Sequence, residues 1–136
     1  MTPDEIIGYA RECIDTPFQH QGRICGVALD CAGVVCHVAN QLGFEPIETP
    51  GYGRSPGLGL LEAAADAQPY LVRVFDRQPG DVLMMRFEGD PQHVGIFTGE
   101  TIIHALFANR KVVEHRLDDV WEGRIVRVYR FAGVAP

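Results

Sequence analysis

An α+β fold with an antiparallel sheet of five to six strands is predicted for this chain of 136 residues. Two observations support it. In the first part of the chain apolar residues recur at helical spacing, whereas after residue 78 they recur at the two-residue spacing of strands, separated by turn residues. Helices that precede the strands, instead of alternating with them, favour a helical layer packed on an antiparallel sheet.

The composition is that of an ordinary globular domain, with 46% hydrophobic and 22% charged residues, and we expect one domain over residues 1–136. The net charge of -6 comes without a basic cluster, so nucleic acid and membrane are not expected partners. The acidic amino end precedes no long apolar run, so we expect synthesis in the cytoplasm without a signal peptide or transmembrane helix. The oligomeric state is left open.

Two capping patterns locate the first helices. The capping box Thr2-Pro3-Asp4-Glu5 predicts a first helix of about twelve residues that ends before Pro17. Asp30 is the expected N-cap of a second helix, because apolar residues follow Cys31 at helical spacing and Gly43 then suits its carboxyl end.

The later elements are predicted from periodicity and turn residues. Gly99 is the first residue of a two-residue loop, which suits a type II′ hairpin in which Thr98 pairs with Thr101. The predicted elements are a short helix over residues 60–67, strands over 70–75, 82–87, 93–98, 101–105, 111–116 and 125–131, and a turn or helical turn over 118–121.

Cys31 is the candidate nucleophile. A thiol in the first turn of a helix lies among unpaired backbone N–H groups at the positive end of the helix dipole, and both favour the thiolate. The alternative is a small apolar residue that only packs. Cys13 is assigned to packing, because it falls on the buried face of the first helix.

The hairpin register places two histidines together. If Thr98 pairs with Thr101, Gly95 lies opposite His104, so that His93 and His104 project from one face as diagonal neighbours and Gly95 leaves room beside them. With Cys31 this is the set that a thiol hydrolase needs. We expect His93 to be the base and His104 to orient it, and spacing alone leaves the reverse assignment open.

Two loops supply further candidates. Residues 18–27 have no helical or strand period and lead directly to Cys31, which makes His20 and Arg23 candidates for the site. The glycine-rich residues 51–59 form a long loop in which Tyr52 and Arg54 suit contact with a ligand.

Five runs, residues 16–23, 30–33, 79–82, 93–99 and 103–105, resemble in this order the NlpC family of papain-like bacterial cell-wall cysteine peptidases, and most closely its phage-tail branch. The resemblance covers about residues 3–131. It implies a papain-like α+β core with a triad of Cys31, His93 and His104 and no cofactor. It also implies cleavage of peptidoglycan stem peptides at a γ-D-glutamyl-diamino acid bond, at the cell wall, in association with phage-tail or gene-transfer-agent proteins.

The chain departs from the family at Phe18, where many members have a tyrosine whose hydroxyl helps to hold the oxyanion. The backbone N–H of Cys31 should remain as a donor, and His20 is a candidate substitute. Asp30 adjoins the thiol and completes the candidate set. Arg23, Arg54 and Tyr52 are candidates to bind the carboxylates of a stem peptide.

Three other interpretations remain. The same triad on a related fold serves thiol acyltransferases and amidases, and loss of the tyrosine hydroxyl suits a structural tail protein with weak catalysis. A zinc site built from Cys25, Cys31 and Cys36 with His20 or His37 lacks a Cys-x-x-Cys pair, so no metal is expected. His115 and Trp121 are expected to have no functional role.

Overall fold

The computed structural model describes residues 1–48, 59–89 and 92–135, and it confirms the predicted α+β class. The helices are Pro3–Arg11 (α1), Cys31–Gln41 (α2), Leu60–Asp66 (α3) and Asp119–Glu122 (α4). The strands are Arg23–Ile24 (β1), Ala28–Leu29 (β2), Leu71–Val74 (β3), Val82–Met85 (β4), His93–Phe97 (β5), Thr101–Leu106 (β6), Lys111–Arg116 (β7) and Ile125–Phe131 (β8).

Strands β3 to β8 form one antiparallel sheet of six strands in the order β3-β8-β4-β5-β6-β7. All six were predicted, but the position of β8 between β3 and β4 was not. Strands β1 and β2 form a separate hairpin, in which β1 lies within residues 18–27, expected to be an irregular loop, and β2 directly follows them. Two-residue strands are too short to leave a periodic signal in the sequence.

The predicted caps begin both long helices. The Thr2 side chain accepts a hydrogen bond from the Glu5 backbone N–H at 3.2 Å, and Asp30 accepts one from the Gly33 N–H at 2.8 Å. Helix α1 is shorter than expected, with 9 residues, because the chain then tightens into bonds between residues three apart, such as Cys13 N–H to the Ala10 carbonyl at 3.0 Å.

The two faces of the sheet carry different cores. Helices α1 and α2 pack on the face that includes Val94, Ile96 and Ile103. A smaller core on the opposite face contains Leu83, Met85, Phe97 and Ile102, with Trp121 of α4 packed against it. Because alternate residues of a strand point to opposite faces, His93 and His104 belong to this second face.

Two further observations concern predictions about sequence segments. None of the described helices is long and apolar enough to cross a membrane. Tyr52 and Arg54, the candidates from the glycine-rich loop, lie outside the described residues.

Candidate active site

The β5–β6 hairpin has the predicted register. Ile96 pairs with Ile103 and Phe97 with Ile102, and Gly99 has the positive φ of 113° that its turn position requires. His93 and His104 consequently meet on one face, with His93 Nε2 2.6 Å from His104 Nδ1. The two residues are only 5% and 0% exposed, so the sheet holds both imidazoles away from water.

Gly95 does not leave open space beside the histidines, which corrects the expectation. A Cβ at this position would lie 2.8 Å from two side-chain carbons of Ile102 and 3.0 Å from the Cβ of His104. The missing side chain therefore allows His104 and Ile102 to pack directly against the β5 backbone.

Cys31 and His93 line one cavity near the beginning of β5 although they belong to different faces of the sheet. Cys31 begins α2, which packs on the helical face, and His93 is the first residue of β5. Both line a cavity of about 480 Å³ whose described lining residues are Phe18, Cys31, Phe87, Gln92, His93, Leu106, Phe107 and Ala108. A substrate carbonyl in this cavity would have access to both side chains.

The protonation of Cys31 differs from the expectation of a thiolate. Burial, reinforced by the Asp30 carboxylate, raises the pKa of the Cys31 thiol to about 12, although the backbone N–H groups of Val94 and Ala32 and the positive charge of Arg23 lower it. Desolvation of the charged sulfur outweighs the helix terminus. At neutral pH the resting site holds a thiol.

Burial lowers the pKa of both histidines, whereas it raises that of the Cys31 thiol. Desolvation, together with the charges of Arg124 and His115, lowers the pKa of His93 to about 4, although Asp30 opposes this shift. His104 has its pKa lowered to about 2, first by burial and then by His93 and His115. Both imidazoles are therefore neutral at physiological pH, and each has one nitrogen with a lone pair and one that carries a proton.

A third histidine, not predicted to have a role, extends the pair. His104 Nε2 lies 2.8 Å from His115 Nε2, and His115 Nδ1 lies 2.9 Å from the backbone carbonyl oxygen of Arg116. The three histidines thus form a hydrogen-bonded chain that ends on a group that can only accept a hydrogen bond.

With one proton on each ring, this end point fixes which nitrogen of each histidine carries it. Because the Arg116 carbonyl accepts, His115 carries its proton on Nδ1 and accepts at Nε2. His104 then donates from Nε2 and accepts at Nδ1 from His93 Nε2–H. The lone pair of His93 is consequently on Nδ1, the position from which it can act as a base.

Trp121 covers this chain of histidines. Its ring lies edge-on to His104 at 4.9 Å and 80°, and its centroid is 5.1 Å from that of His115. The structure thus places His115 and Trp121 in contact with His104, although no pattern in the sequence assigned either residue a function. For His115 the signal was its place on β7, where it pairs with Ile102 and so shares the face of His104.

Aromatic side chains line the part of the cavity where the family resemblance predicts a tyrosine. Phe18 lies there and packs edge to face with Phe107 at 5.6 Å, and its ring brings no hydroxyl to the cavity. His20 is half-buried in the same loop but is not among the described lining residues. The side-chain amide of Gln92 is in the lining, and sequence reasoning did not select it.

Asp30 and Arg23 contribute to the loop that precedes Cys31. Besides capping α2, Asp30 accepts the Gln21 backbone N–H at 2.9 Å and pairs with Arg23 at 2.7 Å. Arg23 also pairs with Glu48 at 2.9 Å. These contacts give both residues a structural task, because the loop and the helix are joined through one buried carboxylate.

The comparisons with known proteins agree with this architecture. A sequence model of the NlpC/P60 family matches residues 15–130, and no curated protein matches the chain. An NlpC/P60 family protein from Bacillus cereus has a similar structure, with a TM-score of 0.70 at 20% identity over 96% of this chain and 40% of that one.

Two other solved structures share the fold. The NlpC/p60 domain of the peptidoglycan hydrolase SagA gives a TM-score of 0.66 at 21% identity over 94% of this chain and 97% of that chain. NlpC2 from Trichomonas vaginalis gives 0.70 at 14% identity over 96% of this chain and 46% of that chain. This chain therefore spans less than half of the Bacillus and Trichomonas proteins.

Proposed function

Because the chain belongs to the NlpC/P60 family, we propose that it is a cysteine peptidase that hydrolyses peptidoglycan stem peptides. The observation that carries the proposal is the cavity shared by Cys31 and His93, with His93 hydrogen-bonded to His104 at 2.6 Å. In this proposal Cys31 is the nucleophile, His93 the general base and His104 the residue that orients it.

The neutral thiol and neutral imidazole define the order of proton transfer. Cys31 Sγ attacks the amide carbon while His93 Nδ1 removes the thiol proton, so the thiolate is formed only as it reacts. Collapse of the tetrahedral intermediate expels the amine, which takes the proton from His93, and leaves a thioester on Cys31. His93 then deprotonates a water molecule that hydrolyses the thioester, and the departing sulfur regains a proton.

Two groups are proposed to hold the oxyanion. The N–H of Cys31 occupies the first position of α2, where no helical carbonyl accepts it. Gln92 lines the cavity and has an amide that can donate, so it is a better substitute for the tyrosine hydroxyl than His20. Together they provide the two donors that acyl transfer commonly uses.

Arg124 is proposed to bind a carboxylate of the stem peptide. Its guanidinium lies over the rings of Trp121 and Phe87, 4.4 Å and 4.9 Å from their centroids, and its charge reaches the site, because it lowers the pKa of His93. The proposed bond, between D-glutamate and a diamino acid, has carboxylates beside it that a guanidinium suits.

The biological setting is proposed on sequence resemblance. The similarity to the phage-tail branch supports an association with a virion tail or gene transfer agent, in which the domain acts on the wall. Mass spectrometry of purified particles would detect the chain among their proteins, and its absence from every particle fraction would contradict this setting.

The enzymatic proposal is tested by digesting purified peptidoglycan and analysing the soluble fragments by mass spectrometry, with and without an added amine. We expect fragments with new free amino and carboxyl groups whose masses identify the cleaved bond. Products in which the added amine replaces water would instead indicate an acyltransferase. Intact peptidoglycan at every pH tested would favour a structural protein.

A further inference from the structure

Cys13, Cys25 and His37 form a cluster away from the cavity residues. Each offers one potential ligand atom, and these three atoms all lie within 4.8 Å of one another. Cys13 follows α1, Cys25 lies between β1 and β2, and His37 is on α2. Three separate segments thus bring two sulfurs and an imidazole nitrogen to one point.

The chemistry of these donors suits zinc. Thiolate and imidazole are the ligands that structural Zn²⁺ prefers, and two cysteines with a histidine leave one tetrahedral position to fill. Cys13 is buried, whereas Cys25 and His37 are half-buried, so an ion can reach the cluster from solvent.

Glu12 contacts the imidazole of the cluster. One of its carboxylate oxygens lies 2.9 Å from His37 Nε2. A metal bound through Nδ1 would have the carboxylate–histidine–metal arrangement that orients ligating imidazoles in many zinc proteins. The carboxylate is 50% exposed, which gives it freedom to move.

We propose that Cys13, Cys25 and His37 bind a zinc ion, with water as fourth ligand. All four cysteines are outside disulfides in the structure, so both sulfurs of the cluster are available as ligands. Formation of two sulfur–zinc bonds displaces two thiol protons.

The ion would join segments that precede and follow Cys31 in the chain. It would tie α1 and the β1–β2 hairpin to α2, the helix that begins at Cys31. A ligand that binds only the folded state raises the unfolding temperature. The inference does not depend on the proposed peptidase activity, and its readouts are independent of turnover.

The test uses reduced, chelator-treated protein titrated with Co²⁺ and then with Zn²⁺. We expect a thiolate-to-cobalt charge-transfer band and tetrahedral visible bands that saturate at one equivalent, release of two protons per ion, and displacement of Co²⁺ by Zn²⁺. The unfolding temperature should rise with zinc.

Single substitutions test which side chains bind the ion. Cys25→Ser and His37→Gln replace half-buried residues and should lose the charge-transfer band or weaken binding at least tenfold, whereas the matched control Cys36→Ser should bind as the wild type does. Circular dichroism checks that each variant is folded. Unchanged binding by Cys25→Ser, an octahedral cobalt spectrum, or a protein that binds no metal and instead forms a Cys13–Cys25 disulfide would each overturn the proposal.

Discussion

The backbone carbonyl of Arg116 influences the protonation of three histidine side chains. Its hydrogen bond with His115, at 2.9 Å, determines which nitrogen of each histidine carries a proton, and the last consequence is the lone pair on His93 Nδ1. Without this acceptor, His104 could donate to His93 instead of accepting from it. In the proposed mechanism His104 and His115 are therefore positioning residues that act through His93.

Replacing His115 tests this chain. We expect His115→Leu to lower kcat about tenfold with little change in KM, because the His104 N–H loses a partner and an unsatisfied buried donor costs about 1–3 kcal/mol. His115→Gln keeps an acceptor oxygen and should recover most of the rate. Steady-state kinetics on a stem peptide make the measurement, and equal kcat values for wild type and His115→Leu would contradict the assignment.

The β5–β6 hairpin is the element on which the histidine pair depends. Its two-residue turn sets the register, and a slip by one residue would move His93 and His104 to opposite faces. Gly95 permits the close approach of His104 and Ile102 to β5. The hairpin therefore combines the packing of the second core with the geometry of the base.

Gly95→Ala should destabilise the protein by about 1–3 kcal/mol, because the added methyl group overlaps the buried side chain of Ile102. Activity should fall as well, since His104 must move. Gly8→Ala is the matched control: nothing lies within 4 Å of the added Cβ, and alanine favours a helix by about 1 kcal/mol. Urea unfolding of both variants compares them, and equal stability of Gly95→Ala and wild type would exclude the steric account.

Whole-molecule stability is coupled to the same histidines. Their pKa values are lowered from 6.5 to about 4 for His93 and about 2 for His104, so the unfolded chain binds more protons than the folded chain below pH 6.5. Stability consequently falls as the pH drops through this range. The ion-paired Glu114 and Glu122 also have lowered pKa values, but they protonate below their ordinary value of 4.5.

The pH range from about 6.5 to 4.5 separates the effect of His93 and His104 on stability from that of Glu114 and Glu122. We expect the unfolding temperature of the wild type to fall between about pH 6.5 and pH 4.5, and to fall less in His93→Gln, which has no imidazole to protonate. Calorimetry at matched ionic strength measures both proteins. A wild-type unfolding temperature that is constant across this range would show that the histidines are not held neutral by the fold.

Features with a local cause could be predicted from the sequence. The Thr2 and Asp30 caps, the Gly99 turn and the pairing of His93 with His104 each depend on residues close together in the chain. The assignment of Cys31 as nucleophile also followed from its helix position and from the family resemblance, and it remains a proposal.

Features that depend on distant packing could not be predicted. The position of β8 between β3 and β4 depends on tertiary packing, and no local pattern in the sequence indicates it. His115 was missed because the β6–β7 connection contains a 3₁₀ turn and Arg110 at a φ of 59°, so its register could not be derived from a two-residue loop. The raised pKa of Cys31 reflects burial, which outweighs the local effect of the helix terminus.

Replacement of the Cys31 thiol in Cys31→Ala is the decisive test of the proposal that this residue is the nucleophile of a peptidoglycan hydrolase. Fragment release from purified peptidoglycan, followed by mass spectrometry, is compared among wild type, Cys31→Ala and Cys36→Ala, a neighbouring thiol on the same helix. We expect Cys31→Ala to release no fragments and Cys36→Ala to release the same fragments as the wild type. Undiminished release by a folded Cys31→Ala protein would contradict the proposal.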